Sequence, residues 1–258
     1  MNILHLNQND VGDKSIFVSS PEDIHHLVKV LRAKVGDIYP VSDGSCWEYL
    51  GRIEKISSDG VTLSIVDKQR HGRELSYEAA LFQGVPKSPK LELIVRKAVE
   101  LGASEIIPVF MDRCVAKETG KEEKKVQRLQ KVADEAVKQC LSPRNPKVRS
   151  FVQFKDMARG LEDFDLVIFP YENEEGRTIR GLLSKWKDEN LKNSQDSPDV
   201  LPVPKIAVVI GPEGGFSTNE AVRLESLGIL PVSLGKSILR TETAGQAVLS
   251  MLLYEMEL

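Results

Sequence analysis

The stretch PKIAVVIGPEGGFSTNEAVRLESLG, residues 204–228, decides how the rest of the chain is read. Ile206 to Ile210 is an unbroken apolar run, the pattern of a parallel strand covered on both faces. The run stops at Gly211 and Pro212, passes Glu213 and the pair Gly214 and Gly215, and resumes as a helix after Phe216. Ser217 and Glu220 have the spacing of a capping box, which places the helix start there. Ala221, Val222, Leu224 and Leu227 are expected on its buried face, with Gly228 closing it. A glycine-rich loop at the C-terminal end of such a strand is where open α/β sheets bind ligands. The plainer alternative is a tight turn. The spacing matches neither G-x-G-x-x-G nor G-x-x-x-x-G-K-[ST], which weakens a dinucleotide or nucleoside-triphosphate reading. Glu213 suits a ligand with hydroxyls or positive charge better than a pyrophosphate.

Strands and helices alternate around this stretch, predicting an α/β domain with a largely parallel sheet. YEAALFQGV (77–85), SEIIPVFMD (104–112), FDLVIFP (164–170) and LPVSLG (230–235) read as strands. SPKLELIVRKAVELG (88–102) reads as a helix stopped by Gly102, and a charged amphipathic helix follows over Lys121–Gln139. The prolines of CLSPRNPKVR end it. Residues 185–204 are polar and turn-rich and read as a surface connection. Ahead of this domain, residues 1 to about 70 read as a small antiparallel β-barrel interrupted by one helix, SSPEDIHHLVKVLR, with Ser20 as N-cap and Pro21 at N1. The expected domains are 1–71 and 72–258.

Two further strand ends resemble the first in texture. LPVSLG runs into Lys236, Ser237, Ile238, Leu239 and Arg240 before a C-terminal helix, with Thr241 or Thr243 as its N-cap. IFPYENEEG stops at Pro170 and turns Tyr171 and Glu172 toward the same rim. Apolar side chains, backbone amides and one fixed cation suit a cofactor slot with a polar reaction edge. The three loops are expected to build one pocket.

Composition is that of a soluble protein, with 41% apolar and 28% charged residues and no apolar run long enough to cross a bilayer. The three cysteines, Cys46, Cys114 and Cys140, form no C-x-x-C, and the histidines have no metal-ligand spacing. The expectation is a cytoplasmic protein without a metal or a membrane partner. Net charge is −3, yet from Gly84 to Arg149 fifteen Lys or Arg stand against nine Asp or Glu. A basic region in an acidic chain is the footprint of a polyanion partner, or a solvated helical face of mixed charge.

VLRAKVGD, KAVELGASEIIPV, GPEGGFSTNE and LGKSILRTETA, in this order along the whole chain, resemble the RsmE family. Its members are 16S ribosomal RNA methyltransferases of the SPOUT superfamily that methylate N3 of a uridine. The resemblance implies a PUA-like β-barrel, a SPOUT α/β domain with a C-terminal trefoil knot, S-adenosyl-L-methionine as cofactor, and a homodimer acting on the small ribosomal subunit. It assigns cofactor binding to Phe169 and Pro170, to Ile210, Gly211, Pro212, Glu213, Gly214 and Gly215, and to Leu234, Gly235, Ile238, Leu239, Arg240 and Thr241. Arg240 is the candidate for stabilising a uracil anion, Glu242 a candidate base and Glu213 a candidate organiser of Arg240 or of the loop. RNA contacts are expected from Arg32 and Lys34 in the barrel and from Lys117, Arg144, Lys147 and Arg149. The chain departs from many members at Leu141-Ser142 and at Lys236-Ser237, where Gly-Arg and Pro-Arg steps are common. A non-catalytic RNA-binding adaptor, an enzyme using another nucleotide and a methyltransferase for a different RNA base are the competing readings.

Overall fold

Parallel strands buried on both faces need helices on both sides, and their order decides which loops meet. The computed structural model describes residues 4–6, 10–43, 47–70, 75–87, 89–140, 142, 144–195 and 203–257. The expected boundary at 71/72, His71, Cys46 and Leu141 lie outside them. Contacts divide the chain into two units, 1–74 with 137–145, and 75–136 with 146–258.

The first unit holds β1 (Leu4–His5), β2 (Ser15–Val18), α1 (Pro21–His25), a π-helical turn (His26–Val30), β3 (Ile38–Ser42), β4 (Trp47–Ile56) and β5 (Val61–Arg70). Ser20 caps α1 as its sequence requires, accepting from the Asp23 N–H at 3.4 Å. The sheet order is β1-β3-β4-β5-β2. It is mixed rather than wholly antiparallel: β1 runs parallel to β3, because β2 and α1 intervene between them in the chain. Ile16, Val18, Val41, Ile53, Val61 and Leu63 are the buried side of its alternating strands, and Leu27 of the π-helical turn joins the same core.

The second unit holds β6 (Glu78–Gly84), α2 (Lys90–Glu100), β7 (Ala103–Phe110), α3 (Glu122–Cys140), β8 (Lys147–Val148), β9 (Val152–Gln153), α4 (Phe154–Gly160), β10 (Leu166–Pro170), α5 (Ile179–Gln195), β11 (Lys205–Ile210), α6 (Thr218–Ser226), β12 (Pro231–Val232) and α7 (Thr241–Glu257). The last turn of α3 belongs to the first unit. The sheet order is β12-β10-β11-β6-β7-β8, with β9 also on β7, and every pair is parallel. The C-terminal ends of β12, β10, β11 and β6 therefore lie side by side. That adjacency brings the three loops together.

Two expectations are corrected here. Residues 185–195 are helical, the second half of α5, rather than a connection. Ile179 and Leu183 are buried and Trp186 half-buried, an i, i+4, i+7 stripe that packing rewards despite the polar residues around it. On α6, Ala221 and Leu224 are buried but Val222 and Leu227 are exposed, at 57% and 42%. The face is rotated because Glu220 points inward instead.

Glu220 is 3% exposed and uses both carboxylate oxygens. One accepts from the Ser217 N–H at 2.8 Å, completing the capping box, and the other from the Asp112 N–H at 2.8 Å after β7. The Ser217 hydroxyl donates to the Asp112 carboxylate at 2.6 Å. A local cap has thus become a tie between two strand ends. Glu220→Ala should lower unfolding stability by about 1–2 kcal/mol, since two part-buried N–H groups lose their acceptor. Urea denaturation measures this directly, and a loss indistinguishable from that of an exposed Glu→Ala control would refute the role.

Candidate active site

The loops after β10, β11 and β12 surround a cavity of about 900 Å³, within the size range of small-molecule and cofactor sites. Pro170, Ile210, Gly211, Pro212, Glu213, Gly214, Gly215, Leu234, Gly235, Ile238, Leu239, Arg240 and Thr241 all line it, as do Lys236 and Ser237. Phe169 does not. It is fully buried, stacked on Tyr171 at 5.5 Å and meeting Phe216 edge-on at 4.7 Å between ring centres. Tyr171 and Phe216 line the cavity and Phe169 supports them, because a residue one step inside the strand end faces the core.

The loop conformations follow from the glycines and from one threonine. A Cβ on Gly84, at the end of β6, would lie 2.5 Å from the Pro212 nitrogen, so only glycine lets β6 run this close to the loop. Gly215 has φ +68° and closes a turn by donating to the Pro212 carbonyl at 2.9 Å. The Gly214 carbonyl accepts from the Arg113 guanidinium at 3.0 Å. Thr241 is not an N-cap: it is the first residue of α7, and its buried hydroxyl is used across the site. It donates to the Gly211 carbonyl at 2.6 Å and accepts from the Gln83 amide at 2.8 Å. One hydroxyl therefore joins β6, the 211–216 loop and the start of α7.

Charge in the cavity is mixed, and it is organised by a residue outside all three loops. Lys90, the first residue of α2, reaches Glu242 at 3.0 Å and Glu213 at 3.5 Å. The Lys87 N–H also donates to Glu213 at 3.0 Å. The two candidate acids are thus bridged by one ammonium. The Glu242 carboxyl is held below its ordinary range, first by its own backbone N–H, then by Lys90 and Arg240, against the opposing effect of burial. The Lys90 ammonium is held above its ordinary range, chiefly by its bond to Glu242. A carboxylate so stabilised is a weak proton acceptor. Arg240 is exposed, and its guanidinium has no hydrogen-bond or ion-pair partner among the described residues.

The RNA methyltransferase domain model matches residues 73–253 and the RNA methyltransferase PUA domain model residues 20–66. The Bacillus subtilis (strain 168) ribosomal RNA small subunit methyltransferase E is 31% identical over 99% of this chain and 96% of its own length. The chain belongs to the ribosomal RNA small subunit methyltransferase E family. Among solved structures, Lpg2936 from Legionella pneumophila, in complex with the bound cofactor SAM, is 28% identical with a TM-score of 0.72, over 98% of this chain and 97% of that one. The Neisseria gonorrhoeae ribosomal RNA small subunit methyltransferase E, bound to S-adenosyl methionine, shares the fold at 20% identity, with a TM-score of 0.75 over 98% and 97% of the two chains.

None of the six cations expected to contact RNA lines the cavity. Arg32, Lys34, Lys117 and Lys147 are exposed. Arg32 carries φ +53°, a left-handed conformation just after the π-helical turn. Arg144 is half-buried and already engaged. Arg149 is ion-paired with Glu105, which makes it a less available phosphate ligand. Sequence reading missed Gln83, Gly84, Lys90 and Asp112. Gly84 and Lys90 flank the end of β6, the fourth strand beside the pocket, so a search of all C-terminal strand ends would have found both. No described helix is long and apolar enough to cross a membrane.

Proposed function

We propose that this chain uses S-adenosyl-L-methionine to methylate N3 of a specific uridine in the 16S ribosomal RNA of the small subunit, in the cytoplasm and as a homodimer. The carrying observation is the convergence of three strand-end loops on one cavity that offers glycine backbone, exposed Ile238 and an Arg240 guanidinium without a hydrogen-bond or ion-pair partner among the described residues. The cofactor suits these residues. Ile238, 81% exposed, and Leu239 offer an apolar bed for a purine, and the glycine-lined turn offers backbone groups. Glu172 and Glu175 on the wall match ribose hydroxyls and a positive sulfonium, while Glu174 is held by Arg177 and Glu213 by Lys90. The C-terminal loops are proposed to form the family's trefoil knot, and residues 1–71 to dock RNA through Arg32 and Lys34.

When bound, the cofactor supplies an electrophilic methyl group. The chain's task is to present a uracil whose N3 proton has passed to solvent water, leaving the ring anionic for attack on the methyl group. Arg240 holds a permanent charge and a planar fork of donors, suited to the carbonyl oxygens on which that negative charge accumulates. Glu242, kept ionised by its own backbone N–H and by Lys90, serves as a fixed anion at the start of α7 rather than as the base. The N3 edge is hidden in paired RNA, so the base must leave its stack to reach the cavity.

The test is transfer of labelled methyl groups to small subunits lacking the modification, followed by nucleoside mass analysis. Labelled N3-methyluridine is the expected product. A different methylated nucleoside would move the assignment to another base. RNA binding without cofactor binding would replace the enzyme by an adaptor.

A further inference from the structure

The two glutamates that border the cavity raise a difficulty for Arg240. Glu242 lies two residues away on the same turn, close enough to feel the guanidinium, and Glu213 stands on the facing loop. An arginine beside two carboxylates ordinarily pairs with one of them, and its planar fork makes that pairing strong. Here the guanidinium is unpaired among the described residues, and Lys90 holds both carboxylates instead. Lys90 is 31% exposed, Glu242 16% and Glu213 25%, so the triad is screened less than an open surface pair. Its position is set by the backbone: Lys90 opens α2, which packs against α7, and the neighbouring Lys87 N–H fixes Glu213.

We propose that Lys90 is a positioning residue which occupies Glu213 and Glu242 and so keeps the Arg240 guanidinium free for the substrate. The inference rests on the role given to Arg240 above. Lys90 need not touch the substrate. Its contribution is to deny Arg240 two competing anions, which would otherwise draw the fork down onto the N-terminal turn of α7. The charge count favours this arrangement, since one lysine against two acids leaves a residual negative charge that attracts Arg240 toward the rim without capturing it. The raised Lys90 and lowered Glu242 protonation ranges keep the bridge intact across neutral pH.

The experiment compares kcat, KM for undermethylated small subunits, cofactor affinity by calorimetry and melting temperature in wild type, R240A, K90M, E242Q and the double variant K90M/E242Q. K90M should lower kcat roughly ten- to a hundredfold, the scale of a displaced transition-state donor, with cofactor affinity and melting temperature little changed. Removing Glu242, the competing anion on the same turn as Arg240, should reverse the effect even with Glu213 in place on the facing loop, so K90M/E242Q should recover kcat toward the value of E242Q alone. A merely structural lysine predicts no such rescue: K90M impaired with the double variant equally impaired overturns the proposal. So does K90M with wild-type kcat while R240A is inactive. If R240A itself is unimpaired, the failure lies in the role of Arg240 and not in Lys90.

Discussion

Arg240→Ala should lower kcat for methyl transfer by roughly 10²–10³-fold, the usual cost of deleting one preorganised donor to a developing anion, while cofactor binding persists. The fold gives the variant a clean readout. The Arg240 carbonyl accepts from the Thr243 and Ala244 N–H groups, both at 2.8 Å, and these main-chain bonds that start α7 survive truncation of the side chain. The side chain is exposed and carries no internal bond among the described residues, so stability should hardly move. Arg240→Lys keeps the charge but loses the fork and should recover only part of the rate. Single-turnover methylation beside calorimetric titration of the cofactor separates the two steps. An unchanged single-turnover rate would remove Arg240 from the mechanism.

Gly84→Ala should damage the site from behind. The new Cβ would lie 2.5 Å from the Pro212 nitrogen, 2.7 Å from its Cδ and 2.8 Å from the Gly211 carbonyl carbon, all rigid backbone or ring atoms. The loop cannot yield quietly, because the Gly211 carbonyl is held by Thr241 at 2.6 Å and any shift passes to the start of α7. We expect a stability loss of about 1–3 kcal/mol from overpacking. Displacement of two cavity walls should also weaken cofactor binding about tenfold or more. Gly160→Ala is the matched control, since its Cβ would meet nothing within 4 Å. Urea unfolding with and without cofactor reads both effects. Equal, small changes in the two variants would show that the loop has slack.

The strands of the sheet were legible because continuous apolar runs such as Ile206–Ile210 have few other uses, and the α6 start was legible because Ser217 and Glu220 cap locally. The same local logic misread Thr241, whose hydroxyl serves a carbonyl thirty positions away, and Phe169, which supports the pocket wall instead of forming it. The polar half of α5 was misread because composition was weighed above the stripe Ile179, Leu183, Trp186.

By itself the sequence determined the layered α/β class, the glycine loop at a strand end and the family, since periodicity, caps and contiguous motifs are carried by neighbours in the chain. Only the tertiary structure decided that β12, β10, β11 and β6 end side by side, that Gly84 backs the loop, and that Lys90 takes both acids away from Arg240. The pairing of β11 with β6 and of Lys90 and Lys87 with their acids joins residues more than a hundred positions apart, and no local pattern encodes which distant partner a lysine or a glycine will meet.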